Sequence, residues 1–196
     1  LDFGYSFNQQ IELNESLIQL HFDCKFNQPL KLNKELIYLD LGINFNESLI
    51  LNEKLKYLDL SHSFNRLIQL TNELTHLMIF HQKIDLVNLK CIRLYENNDY
   101  IVNSLPESLE TLEIFSNIDL KLNDLPNRLI KLVFKFCSYN HELNCLPNSL
   151  EKLELPCGYK YQIKSIPKNL KYLNCSKSYK YKNDFITRGI RIKYIK

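Results

Sequence analysis

Four side chains in the first sixty residues could together hold a hard cation: His21, Asp23, Asp40 and Asp59. Carboxylate oxygens suit such an ion. No calcium-loop spacing accompanies them, so no metal is assigned. Catalytic constellations are missing as well. There is no GxSxG, no HExxH and no phosphate-cradling glycine loop, and the 196 residues include only four Gly. The expectation is a non-enzyme without a cofactor or small-molecule substrate.

The six cysteines form no CxxC pair. They read as free, buried thiols in a reducing compartment, although Cys137 and Cys157 fall in adjacent turns and could approach each other under oxidation. Toward the C-terminus Lys and Tyr interleave, in "YKYQIKS" from Tyr159 and "YKYKNDFITRGIRIKYIK" from Tyr179. A surface that tracks phosphates and stacks bases has this composition. The net charge of +3 is too small to argue for nucleic acid by itself. The stretch is therefore read as a terminal cap, and nucleic acid as the less favoured partner. No apolar run approaches the roughly 20 residues of a membrane span, so no membrane partner is expected. Asn, Ile, Lys and Tyr abound and Ala is absent, which points to an A+T-rich coding sequence. The chain begins at Leu1 with no visible signal peptide, suggesting a trimmed or processed cytoplasmic piece.

These side chains are positioned by a repeat. Phe-Asn recurs at Phe7-Asn8, Phe26-Asn27, Phe45-Asn46 and Phe64-Asn65, each step nineteen residues. A second pattern, LxxLxL, recurs from Leu17, Leu36, Leu55, Leu74, Leu89, Leu109, Leu129, Leu150 and Leu170. The period is nineteen early and twenty or twenty-one late, with one step of fifteen between Leu74 and Leu89. "LDFG" at the start fits the tail of one more copy, and "IRIKYIK" a degenerate last one. The motif ends in apolar–polar–apolar alternation, the mark of a short half-buried strand. So short a unit holds one strand and an irregular or 3₁₀ return, and buries little until copies stack. Early returns carry Leu-Asn and late ones Leu-Pro or Ile-Pro, as at Leu105-Pro106 and Ile166-Pro167. Proline suits an extended return with no helix hydrogen bonds to lose.

LxxLxL at this period resembles the leucine-rich repeats. The early copies, of form LxxLxLGxxFNxxLxxLNxxL, resemble FNIP repeats of social amoebae and of the giant viruses that infect them. The resemblance is specific over residues 1–80 and looser over 100–180. It implies a single solenoid with one short parallel strand per repeat of 19–21 residues, a curved concave sheet, irregular convex returns and little α-helix. The expected divisions are 1–80 with FN-type repeats, 81–104 an irregular repeat, 105–180 with LP-type repeats and 181–196 a C-terminal cap. The family also implies a protein-binding module, often joined to an F-box that recruits a ubiquitin ligase. No F-box segment is visible here. The expected partner is a host or viral protein, in the host cytoplasm if the chain is viral.

Period-two alternation puts motif positions 3, 5 and 7 on the side away from the leucines, the concave face by the resemblance. That face gathers Asp2, Asp23, Asp40 and Asp59 with Tyr38 and Tyr57; then Met78, Phe80, Arg93, Tyr95 and Phe115; then Lys131, Lys135 and Lys152. Exposed aromatics mark partner sites, so the middle group is the candidate anchor and the charged groups orient the partner. The Phe-Asn pairs read as fasteners: a ring for a stacked spine, an amide for turn backbone groups. Two other readings are a structural, self-assembling viral repeat protein and a nucleic-acid binder through the Lys/Tyr stretch.

Overall fold

Alternating leucines turn one face of an extended segment toward the core, and its backbone groups need a neighbouring strand on each side. The computed structural model describes residues 1–80, 84, 86, 88–95, 104–115, 117, 119 and 121–195, and there each LxxLxL motif supplies one such strand. These residues form two compact units, Leu1–Leu89 and Lys90–Lys196. The first contains β1 (Asp2–Phe3), β2 (Gln19–Phe22), β3 (Tyr38–Asp40), β4 (Tyr57–Asp59) and β5 (His76–Ile79). The second contains β6 (Cys91–Leu94), β7 (Thr111–Ile114), β8 (Lys131–Phe134), β9 (Lys152–Glu154), β10 (Tyr172–Ser176) and β11 (Arg191–Ile195). Both are leucine-rich-repeat solenoids. The irregular repeat at 81–104 lies largely outside the described residues.

Within each unit, consecutive strands pair in parallel, and like positions of the motif meet. Tyr38 lies beside Tyr57, Leu39 beside Leu58 and Asp40 beside Asp59; Thr111 lies beside Lys131 and Leu112 beside Leu132. Motif positions 1, 4 and 6 form the core. Leu36, Leu39, Leu41, Leu55 and Leu58 in the first unit and Leu150, Leu153 and Leu155 in the second are fully buried. Burial of each is worth about 1.5–3 kcal/mol, so every added repeat extends one apolar column.

The returns enter each strand through a β-turn. Its bond runs from the first motif leucine to a carbonyl three residues back: Leu17 to Asn14 at 3.1 Å, Leu55 to Asn52 at 3.3 Å, Leu129 to Pro126 at 3.0 Å and Leu150 to Pro147 at 3.1 Å. Asn in the first unit and Pro in the second thus hold the same corner. The proline ends the irregular return and is the first residue of this turn, where its carbonyl accepts and its missing N–H costs nothing. Residues 181–195 contain the one described helix, α1 (Asn183–Ile186), and β11, which pairs with β10 over five positions from Tyr172↔Arg191 to Ser176↔Ile195.

Candidate functional site

A second turn follows the strand and carries the repeated aromatic residue. Phe7 N–H donates to Gly4 O at 3.0 Å and Phe64 N–H to Ser61 O at 3.2 Å. Phe26, Phe45 and Phe64 are buried, and Phe7 is partly so. Their rings stack at 6.0, 5.9 and 6.2 Å between centroids, within 14° of parallel, a favourable offset arrangement. Phe22, at a core position of β2, adds a face contact of 3.7 Å to Phe26. The asparagines form a parallel chain of bonds. Asn27 N–H donates to Asn8 Oδ1 at 2.9 Å, Asn46 N–H to Asn27 Oδ1 at 2.8 Å and Asn65 N–H to Asn46 Oδ1 at 3.0 Å.

The second unit fills the same turn with tyrosine, which the sequence reading missed. Tyr159 N–H donates to Pro156 O at 3.2 Å and Tyr179 N–H to Ser176 O at 3.1 Å, the bonds made by Phe7 and Phe64. Tyr139, Tyr159 and Tyr179, twenty residues apart, are buried. Their hydroxyls reach the preceding return: Leu122 N–H donates to Tyr139 Oη and Leu143 N–H to Tyr159 Oη, both at 3.0 Å, while Tyr179 Oη donates to Tyr161 O at 2.9 Å. Burial pushes all three phenols above their ordinary pKa. The signal was the twenty-residue spacing of Tyr at the turn, where attention to Phe alone made the pattern look lost.

On the sheet face of the first unit, Tyr38 and Tyr57 lie 6.1 Å apart and Tyr57 stacks on His76 at 4.2 Å. Much of the charge here is used within the unit. Asp40 pairs with His21 at 2.7 Å and accepts from Gly42 N–H at 2.9 Å; Asp59 accepts from Tyr38 Oη at 3.2 Å. Asp23 accepts from Cys24 N–H at 2.6 Å, and bonding to the Cys24 side chain and amide lowers its pKa. Met78 and Phe80 are partly exposed, and Phe80 meets His62 edge-on at 5.4 Å. Position 7 corrects the alternation argument, because the chain has turned by then in β3 and β4. Ser61 is fully buried and donates to Phe45 O at 2.6 Å. Gly42 sits at φ +67°, where an added Cβ would lie 2.3 Å from Asp23 O.

In the second unit the ladder continues past the strand. Phe115 N–H donates to Leu94 O and Lys135 N–H to Ile114 O, both at 2.8 Å. Position 7 therefore stays on the sheet face, and Tyr95 and Phe115, each partly exposed, stack at 4.4 Å and 7°. Exposed Arg93 reaches Glu113 at 3.0 Å, and Glu113 also pairs with Lys131. Burial raises the Glu113 pKa, but these two cations outweigh it and the net shift is downward. Lys135 pairs at 2.5 Å with buried Glu154, which accepts from Asn174 Nδ2 at 2.7 Å. Val133, Glu154 and Asn174 are buried despite facing away from the leucines. The lysine group is thus spent largely on carboxylates of its own unit rather than left for a partner.

Contrary to the expectation from the sequence, the cysteines are not uniformly buried. Cys137 and Cys175 are buried, and burial pushes the Cys137 thiol up to about 11. Cys145 and Cys157 are exposed, because they sit at outward corners of the returns and turns. Among the described residues, no cluster of three or more His, Cys, Asp and Glu could hold a metal ion, and no helix is long and apolar enough to cross a membrane.

A family model for the FNIP repeat matches residues 115–158. CroV588, a giant-virus protein solved as a novel circular leucine-rich-repeat structure, is 31% identical with a TM-score of 0.68, over 91% of this chain and 33% of that one. The chain is a leucine-rich-repeat protein that carries FNIP repeats. The FNIP match falls on the later repeats, whereas the Phe-Asn pairs had pointed to 1–80. Asn117 shows how the later FNIP repeats keep the amide bond without a Phe-Asn pair, accepting from Ser138 N–H at 2.6 Å. The chain spans about a third of the length of CroV588. No curated protein matches it.

Proposed function

We propose that this chain is a non-catalytic protein-binding module whose partner, a host or viral protein, contacts the sheet face. The observation that carries this reading is the Tyr95–Phe115 pair, two parallel rings at 4.4 Å on the side away from the leucine core and still partly open to solvent. Rigid aromatics of this kind bind at low entropic cost and dominate interface energies. Arg93, exposed and oriented by Glu113, adds a donor beside them. In the first unit, Tyr38, Tyr57, Met78 and Phe80 offer a second set of candidate contacts, with Asp40 and Asp59 holding polar neighbours in place. The likeness to a giant-virus protein supports a viral origin, and a viral chain of this kind would meet a host protein in the host cytoplasm. A ubiquitin-ligase adaptor role is the narrower form of this reading.

The test replaces Tyr95 with a photo-crosslinking phenylalanine analogue and identifies the protein captured in cells. A discrete crosslinked partner, which wild type then recovers by affinity pull-down and Tyr95→Ala/Phe115→Ala does not, at an unchanged melting temperature, is the expected result. Equal recovery by the folded double variant contradicts the site. Co-purification of ubiquitin-ligase subunits with the full-length protein tests the adaptor form, and their absence removes it.

A further inference from the structure

Charge is not spread evenly along this chain. Residues 157–196 hold nine Lys, two Arg and a single acid, Asp184, for a net +10; the whole chain is +3, so residues 1–156 carry −7. Asp184 accepts from Gln162 Nε2 at 2.9 Å. Among the described residues of that stretch, only Lys164 and Lys171 pair with carboxylates, Glu142 at 4.0 Å and Glu151 at 2.7 Å. Self-repulsion on this scale opposes folding and is relieved when an anion binds.

The cations are also seated on rings. Lys160 Nζ lies 5.3 Å from the Tyr161 ring centre, and one repeat later Lys180 Nζ lies 5.6 Å from that of Tyr181. Arg191 over Tyr172 and Lys182 over Tyr194 follow at 5.8 and 6.0 Å. Proteins show about one such pair per 70–80 residues, so four in this short stretch are an enrichment; the other pair among the described residues is Lys25 over Tyr5. Tyr172 and Tyr194 are 42% and 45% exposed. Tyr161 and Tyr181 are partly exposed and stand edge-on to buried Tyr159 and Tyr179 at 5.9 and 6.0 Å. The buried ladder thus holds two outer rings in successive repeats, each beside an exposed lysine.

We infer that this surface of the second unit binds single-stranded nucleic acid, with Lys160 and Lys180 on phosphates and Tyr161 and Tyr181 stacking against bases. An acidic protein segment would use the cations but not the rings. A single strand uses both, and its bases are free to stack as those of a duplex are not. Lys160 and Tyr161 lie in the return between β9 and β10, and Lys180 and Tyr181 one repeat later between β10 and α1, with the two outer rings set against buried Tyr159 and Tyr179.

The experiment is fluorescence anisotropy of labelled 20-nucleotide oligo(U) and oligo(dT), titrated with the whole chain at 50 and 200 mM NaCl. Neutralising about four phosphates on a single strand predicts about a 50-fold loss of affinity between the two salts. Lys160→Ala/Lys180→Ala should cut that loss to about sevenfold. Tyr161→Leu/Tyr181→Leu keeps apolar packing, and should weaken binding at least fivefold at both salts with the salt ratio unchanged. Absence of binding at 50 mM overturns the proposal. So does displacement by polyglutamate at equal charge combined with a tyrosine variant that binds like wild type, which identifies a site for acidic polymers. The two lysines are exposed, so their variant decides the matter even if the tyrosine variant fails to fold by circular dichroism.

Discussion

Phe64 and Tyr159 occupy one place in one kind of turn, each bonding a carbonyl three residues back, yet they fasten their units differently. In the first unit the rings only stack, and the repeated bond between turns falls to Asn8, Asn27 and Asn46, each accepting from the next copy's amide, with Ser61 adding one to Phe45 O. In the second unit the ring carries its own polar group. Tyr159 Oη accepts from Leu143 N–H at 3.0 Å and donates to His141 O at 3.2 Å, so one side chain both fills the core and satisfies the return. The slot requires a buried aromatic. Which atom satisfies the neighbouring backbone is free to move, because each repeat needs only some partner for its unpaired groups.

This comparison can be broken at its largest effect first. Phe45→Ala removes a fully buried ring from the middle of the stack and should cost about 3–5 kcal/mol, about 10 °C in melting temperature for a chain of this size. Scanning calorimetry reads it, and a loss below about 1 kcal/mol would mean the rings do not hold the first unit together. Tyr159→Phe keeps the ring and orphans the buried Leu143 amide, for about 1–3 kcal/mol. The Leu143 amide should also exchange faster with deuterium; unchanged exchange and stability would remove the hydroxyl's role. Asn46→Ala comes last, at about 1 kcal/mol, because the Asn65 amide it serves lies at an exposed position where water can replace the carbonyl. A larger loss from Asn46→Ala than from Tyr159→Phe would reverse the comparison.

The fold was legible because two periodicities agree: nineteen to twenty-one residues between copies and two within each strand. Strand positions, the leucine core and the parallel pairing all follow from them. The face was less legible. Whether position 7 points outward depends on whether the ladder ends before it, as at Gly42 and Ser61, or runs through it, as at Phe115 and Lys135. Charge pairing was also hidden, since Tyr38 meets Asp59 and Lys131 meets Glu113 across a repeat, at a distance that only the register fixes. The tyrosine ladder was visible as a spacing but not as a function, because a hydroxyl reaching the preceding return leaves no local mark in the sequence.

The central claim is that the repeated residues fasten the solenoid and the varied residues on its sheet face bind. Tyr159→Phe and Tyr95→Ala/Phe115→Ala, measured side by side for melting temperature and for partner recovery well below both melts, test it most directly. The account predicts that Tyr159→Phe melts several degrees lower and keeps its partner, while the face variant melts like wild type and loses it. The reverse pattern, with the ladder variant folded but unable to bind and the face variant destabilised but binding, would contradict it.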